Sequence, residues 1–502
     1  MVEAFISGLL QVFTIPAFPL MLIGIAVGFA VGILPGLGGP VALALMLPFV
    51  FDMKPVEAFA FLLGMISVTA TTGDITSVLF GVPGEGTSAA TIVDGHPMTK
   101  NGEAGRALGA ALMSSLVGAV FGAFVLAAAI PIVRPLVLAF GSPEFFALAL
   151  LGLTFVAALS GENKLKGAVS GGLGLMLAMV GLDPQSGVQR YTFGQLSLWE
   201  GLGLVPVTAG LFAIPEIVEM WVKRTSIAEK APGQLSGVWQ GCKDTFIHWG
   251  VTLRCSMIGT FIGIVPGLGG AVAQWLAYAH AVQSASDKSR FGHGDVRGVL
   301  GPGAANNSKE GGAIIPTIAF GVPGSVSMAI LLGAFLIQGL VPGPSMLTTH
   351  LSLTFSFVWL IVLSNVITVG VCFLVLKHLV KITYVRGALV IPAILLMVFL
   401  GSYADSNSLA AVVVTLLFGF IGLLMVYLDW PRPPLILGLV LGTLIEKNLF
   451  ISYTRYEFSF LLRPMVVAIF LVGLAIILAP TIRRVVLQRS GSKEGGIVAG
   501  RG

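Results

Sequence analysis

The sequence predicts an all-α, polytopic membrane protein, and three observations carry that prediction. Of 502 residues, 56% are hydrophobic and only 10% charged, with a mean hydropathy of +0.96, whereas soluble domains carry roughly 25% charged residues. Uncharged runs cover 21–50, 107–133, 311–349, 351–376, 406–428 and 464–482, and a helix needs about 20 residues to cross a bilayer. The runs are continuous apolar blocks without the alternation of barrel strands, which leaves helices as the spanning element. Several runs exceed one span, so counting blocks of ~20 residues gives about 12 helical passes or hairpin arms.

Glycine and proline refine that picture. The chain holds 65 glycines and 27 prolines, residue types that in lipid mark broken or closely packed helices. No Lys or Arg precedes Lys54, so the basic n-region of a cleavable signal is missing and the first apolar segment is expected to stay. Cys242, Cys255 and Cys372 are isolated and support neither a disulfide framework nor a zinc site. The net charge of +5 gathers in loops and tail, so it reports topology, with the bilayer as partner and no nucleic acid. Lys223, Arg224, Lys230 and Lys243, and later Arg483, Arg484, Arg489 and Lys493, are best placed in the cytoplasm. That puts the N-terminus outside, although Lys447, Arg455 and Arg463 pull against the scheme.

Two motifs recur in the same order. Gly32-Ile-Leu-Pro-Gly-Leu-Gly-Gly39 returns as Gly263-Ile-Val-Pro-Gly-Leu-Gly-Gly270, an offset of 231. Phe80-Gly-Val-Pro-Gly84 returns as Phe320-Gly-Val-Pro-Gly324, an offset of 240. The expected organisation is a first transmembrane repeat over 1–222, a cytoplasmic linker over 223–247, and a second repeat over 248–463. An additional helix over 464–482 and a cytoplasmic, disordered tail over 483–502 complete it. With the N-terminus outside and the linker inside, the first repeat crosses an odd number of times and the second runs inverted. Inverted repeats place a binding site near the midplane where they meet.

Each motif has a physical reading. Pro35 removes a backbone donor, and Gly36, Gly38 and Gly39 permit conformations closed to other residues, so the helix should break and restart at Pro40. Freed N–H groups and a positive dipole end would then face the break, where a carboxylate fits; Gly267, Gly269 and Gly270 repeat the device. Pro-Gly turns inside apolar surroundings read as tips of re-entrant hairpins. Gly84, Glu85, Thr87 and Ser88 belong to the first tip, and Gly324, Ser325 and Ser327 to the second. Their hydroxyls suit helix capping and ligand contact alike.

Polar residues flank the hairpins. Asn306 and Asn307 lie in a Gly- and Asn-rich stretch, 301–316, which reads as an interfacial loop with Lys309 and Glu310 solvated. The two Asn could orient carboxylates or coordinate a cation. Asp74, in a long apolar context, is the stronger ionisable candidate, because a charge at membrane depth is expensive and faces a polar path. Asp74 and Asn307 are therefore the candidate coupling-ion residues, with Na+ or H+ as the ion. Asp94 reads as weaker, since a boundary position would solvate it. No HExxH, GxSxG or GxxxxGK[ST] occurs, so neither an enzyme nor a hydrolysis-driven pump is expected, and no cofactor.

The motifs resemble the large membrane subunit of the tripartite tricarboxylate transporters, the TctA type. The resemblance rests on 32–39 with 263–270, and on Val82-Pro-Gly-Glu85 leading to Asp94-Gly-His-Pro-Met98 and Gly105-Arg-Ala-Leu-Gly109. It extends to Ala304-Ala-Asn-Asn307, Gly321-Val-Pro-Gly-Ser325 and Pro342-Gly-Pro344. It implies a secondary active transporter in the bacterial inner membrane that imports a tricarboxylate or other organic acid with a cation. A periplasmic binding protein would deliver the substrate, and a small four-helix membrane subunit would stand beside this chain, with a homodimer of the membrane complex compatible. The chain departs at Gly303, where Glu is expected, and at 71–74, where a Gly- and Ser-rich stretch is expected; both weigh against citrate in particular. A gated anion channel is the alternative, with the Pro-Gly loops as its constriction.

Overall fold

The computed structural model describes residues 1–32, 38–81, 83–85, 87–159, 164–183, 185–223, 235–266, 268–382 and 387–475. Most of the described backbone is helix, as the continuous apolar blocks require. The first half runs through α1 (Val2–Val12), α2 (Ala17–Gly32), α3 (Gly39–Met46), α4 (Pro55–Phe80), α5 (Ala89–Lys100), α6 (Ala104–Leu138), α7 (Ser142–Leu159) and α8 (Lys164–Ala178). It closes with α9 (Leu204–Thr208), a π turn over Ala209–Ala213, and α10 (Ile214–Lys223). A small β-hairpin, Gly181–Leu182 against Gln189–Arg190, precedes α9.

The second half repeats that order. It consists of α11 (Val238–Ile247), α12 (Trp249–Ile264), α13 (Gly269–Ser284), α14 (Arg297–Phe320), α15 (Val326–Ile337), α16 (Leu351–Ile382), α17 (Gly387–Ser406), α18 (Leu409–Tyr427) and α19 (Pro433–Tyr456), then α20 (Pro464–Ala475). Helix α11 lies inside the stretch read from sequence as a linker; its charges masked an element that docks on α6 just as α1 docks on α16. The exchange is systematic. α2 packs on α4 as α12 packs on α14, α6 on α14 as α16 on α4, and α13 on α5 as α3 on α15. A pseudo-two-fold relation between the halves follows from these reciprocal pairings.

Among the described residues, five helices are long and apolar enough to span alone, or six if the pair α1 and α2, bent by 66°, is one span. Six shorter apolar helices of 10–17 residues accompany them. The dozen or so apolar segments expected from sequence therefore divide into full spans and half-length arms. Helix α4 is buried along its whole span, whereas only 33% of the α6 and α18 spans is, so α4 is the central post and α6 and α18 face lipid. Leu374, Leu409 and Phe124 accordingly stand exposed with bilayer, not water, as their solvent.

Small residues let the central helices touch. A Cβ on Gly118 would fall 2.0 Å from the Ala304 carbonyl, and one on Gly122 2.5 Å from that of Ser308, so α6 and α14 meet backbone to backbone. Gly303 belongs to the same seam: a Cβ there would lie 2.4 Å from Ser114 Oγ. A glutamate, the residue the family pattern led us to expect, has no room. Across the halves, Phe59 of α4 packs tilted against Phe335 of α15 and edge-on against Phe357 of α16, with centroids 4.5 and 4.8 Å away.

Candidate functional site

Described helix elements lie on either side of both Pro-Gly repeats. α2 stops at Gly32 and α3 restarts at Gly39 with Pro40 in its first turn, while α12 stops at Ile264 and α13 restarts at Gly269. Pro35, Gly36 and Gly267 lie outside the described residues. The hairpin tips match each other closely. α4 ends on Gly81 at φ 68°, ψ 19°, and α14 on Gly321 at φ 67°, ψ 20°, left-handed caps that glycine adopts at no steric cost. Helices α5 and α15, 12 residues each, then return over ~18 Å, too short to cross ~30 Å of hydrocarbon.

The two breaks and two tips enclose a cavity of about 100 Å³. The first half contributes Gly39, Thr69, Ala70, Glu85 and Thr87 to its wall. From the second half come Gly269, Gly270, Lys309, Glu310, Ser325 and Ser327. These are matched positions: at the hairpin offset of 240, Thr69 corresponds to Lys309, Ala70 to Glu310, Glu85 to Ser325 and Thr87 to Ser327. The scaffold is duplicated and the charges are not.

Glu85 occupies the first helix end itself. The Gly39 N–H donates to its Oε2 at 3.1 Å, and the Thr87 hydroxyl donates to its Oε1. A protein carboxylate thus sits at the dipole end of α3, where the sequence suggested an anion. Among the described residues the second half shows no such plug. Ser325 caps α15 by accepting from Met328 N–H at 3.3 Å, and α13 starts on Gly269, at φ 70°, without a side-chain cap.

Lys309 and Glu310 overturn the solvated-loop expectation. The stretch 301–316 is the body of α14, despite Pro302 and Pro316, because α6 and α12 wrap it and exclude water. Lys309 is 6% exposed and Glu310 8%, and Lys309 Nζ pairs with Glu310 Oε1 at 2.5 Å. Glu310 Oε2 is buried without a partner. The Lys309 stem runs against α13, since a Cβ on Gly270 would lie 2.3 Å from Lys309 Cε and 2.6 Å from Thr87 Cγ2.

A second polar cluster lies one turn deeper. Asp74, 1% exposed, accepts from Thr91 Oγ1 at 2.9 Å and Asn306 Nδ2 at 3.4 Å. Asn307 Nδ2 donates to Thr71 Oγ1 at 2.8 Å and Asn365 Oδ1 at 2.6 Å. The amide oxygens of Asn306 and Asn307 are buried with no partner, which is uncommon enough to call for a ligand or a role. Asn365, on α16, escaped sequence reading; its signal was a lone amide in the apolar run 351–376.

Other expected site residues play packing roles. Gly84 seats the first tip on α4, with a Cβ there only 2.4 Å from Gly73 Cα, and Gly324 seats the second 2.9 Å from Ala313 Cα. Ser88 ties its own tip together, exchanging bonds with Glu85 backbone and Ser77. Gly38 is the extended N-cap of α3, close against the Glu85 side chain. Asp94 is buried, not solvated: it accepts from Gly292, Gly294 and Asp295 N–H at 2.8–2.9 Å and from the Tyr278 hydroxyl at 3.0 Å. It fastens α5 to the loop before α14. Among the described residues no group of three His, Cys, Asp or Glu could hold a metal.

A family model described as the tripartite tricarboxylate transporter TctA family matches residues 18–437, a span that contains every residue of the cavity wall. The chain belongs to the TctA family. It is similar to an Agrobacterium vitis protein described as an "uncharacterized 52.8 kDa protein in TAR-I ttuC' 3'region", 32% identical over 92% of this chain and 93% of the relative. A second Agrobacterium vitis protein, described as lying in the "TAR-II ttuC' 3'region", is 30% identical over 38% of this chain and 79% of that protein. No solved structure matches. TctA membership makes the chain a multi-pass membrane component of a tripartite tricarboxylate transporter, as its motifs led us to expect.

Proposed function

We propose that this TctA protein is the substrate-carrying subunit of a secondary active transporter that imports a small carboxylate across the bacterial inner membrane. A Na+ or H+ gradient drives it, a periplasmic binding protein delivers the acid, and a small four-helix membrane subunit completes the complex. The observation that carries this reading is the shared cavity, where Lys309 and the unplugged start of α13 lie beside the Ser325 and Ser327 hydroxyls. An ammonium, backbone N–H groups and hydroxyls are the donors a carboxylate needs. Alternating access follows naturally from two pseudo-symmetric halves that rock or slide about a midplane site.

Charge balance argues for cation coupling. The cavity wall holds one ammonium against two carboxylates, so an anionic substrate requires compensating positive charge. The buried oxygens at and beside the cavity, Glu310 Oε2 and the cluster of Asp74, Asn306 and Asn307, offer hard ligands for Na+, or a carboxylate for H+. Uptake by proteoliposomes carrying the assembled complex and binding protein tests the reading, with citrate, succinate, malate and tartrate as probes. Saturable uptake of at least one acid, abolished when both Na+ and proton gradients are collapsed, is expected. Uptake that persists without either gradient removes the coupling, and large unsaturable conductance makes the protein a channel.

A further inference from the structure

We propose that the Lys309–Glu310 ion pair is the coupling switch of this carrier: a cation neutralises Glu310 and frees the Lys309 ammonium for the substrate carboxylate. The inference rests on the carboxylate-transport reading above and names how the cation and the acid are linked at that site.

Three observations lead to it. First, the pair is buried yet incomplete, for Glu310 Oε1 meets Lys309 Nζ while Oε2 has no partner. A buried, unpartnered carboxylate oxygen beside a cavity is a place for a proton or an alkali cation. Second, the partners are adjacent in sequence, and adjacent residues of a helix do not face one another. The pair is therefore not enforced by helix geometry, and the lysine stem already lies along Gly270 at the start of α13. Third, the pair breaks the repeat: the matched positions in the first half are Thr69 and Ala70, so the fold does not need charges there.

Electrostatics then sets the order of events. If a substrate carboxylate took Lys309 from an ionised Glu310, one carboxylate would merely replace another on the ammonium. Glu310 would be left buried and unpaired, a strongly unfavourable state for a carboxylate. With a cation on Glu310, that penalty vanishes and the ammonium is available. Substrate and cation therefore bind together or not at all, which is the thermodynamic content of symport. The other ionisable side chains acting on Lys309 are Glu85 from the first tip and Asp74 from α4. Glu85 already has Gly39 N–H and the Thr87 hydroxyl, and Asp74 has Thr91 and Asn306; only Glu310 presents an unanswered oxygen among these three.

The test uses the assembled complex in proteoliposomes, with whichever of citrate, succinate, malate or tartrate the wild type accumulates. Wild-type exchange of internal for external acid is titrated with Na+ at fixed pH and with pH in the absence of Na+, which separates the two cations. Glu310→Gln is expected to exchange internal for external acid with no stimulation by the active cation, and to accumulate the acid only to equilibrium. Gradient-driven accumulation by Glu310→Gln with wild-type cation dependence overturns the proposal. So does loss of exchange in a complex that assembles with wild-type thermal stability. Should Glu310→Gln fail to assemble, Glu310→Asp carries the test: it keeps the charge but withdraws it from Lys309, so half-maximal cation activation must shift threefold or more, and an unchanged value overturns the switch. A wild type that accumulates none of the acids removes the transport reading itself.

Discussion

The two halves of this molecule share a backbone plan and differ in where they put charge. Gly81 and Gly321 cap equivalent helices in nearly the same conformation, and Gly84 and Gly324 seat equivalent hairpins. Yet the first half plugs its helix end with Glu85, while the second leaves its own end open and brings Lys309 and Glu310. Duplication thus supplies the backbone of the pocket, and divergence at three matched positions sets its charge. A symmetric pocket would hold a ligand equally from both sides; an asymmetric one can orient it and make its binding conditional.

Removing the distinguishing ammonium should have the largest effect. Lys309→Met is expected to reduce carboxylate uptake by about 100-fold or more, in line with a charge-assisted bond of about 3 kcal/mol, whereas Thr69→Val at the matched position should cost under threefold. Initial uptake rates in proteoliposomes decide this, and equal losses would erase the asymmetry. Next come the glycines at the helix starts. A methyl on Gly270 must displace Lys309 or Thr87, at 2.3 and 2.6 Å, but one on Gly39 meets Thr69 Oγ1 at 3.1 Å. Gly270→Ala should therefore lower uptake about tenfold and Gly39→Ala two- to threefold, by the crowding such contacts impose.

Making the first half resemble the second sharpens the comparison further. Glu85→Ser frees the α3 end, so substrate affinity in exchange assays should rise a few-fold, while thermal stability drops by about 1 kcal/mol for the lost cap. Weakened affinity would instead mean that Glu85 helps hold the ligand. The smallest effect belongs to the loop between α13 and α14, outside the membrane spans. Burial works against the Asp295 carboxylate, but the Arg297 fork, at 2.6 and 3.0 Å, holds its pKa below the ordinary 3.8. That stabilisation is present above the ordinary value and disappears as pH falls through the lowered one. Asp295→Asn should cost about 1 kcal/mol at pH 7, with the difference from wild type shrinking as pH falls below the ordinary value of 3.8.

Much of this plan is legible in the sequence because glycine and proline act locally. A helix starts afresh at Gly39, another stops before Pro266, and chains turn at Pro83 and Pro323, so the paired motifs emerge from spacing alone. Charge is different. Lys309 and Glu310 stand in a Gly- and Asn-rich stretch whose local pattern is that of a loop, and only the wrapping by α6 and α12 makes it a buried helix. Asp94 was misjudged for the same reason, since its three N–H partners come from a loop some 200 residues away. Asn365 joins Asn307 across 58 residues, a contact that no periodicity encodes.

The central claim, that one cavity between the halves holds the substrate, is tested most directly by substrate protection. Single cysteines are placed on each side by Thr87→Cys and Ser327→Cys and titrated with a membrane-impermeant, negatively charged thiol reagent. The native Cys242, Cys255 and Cys372 are buried and give little background. The transported carboxylate, with its cation, should slow modification at both positions over the same concentration range. Protection at neither position, in complexes that still take up the acid, would place the substrate elsewhere.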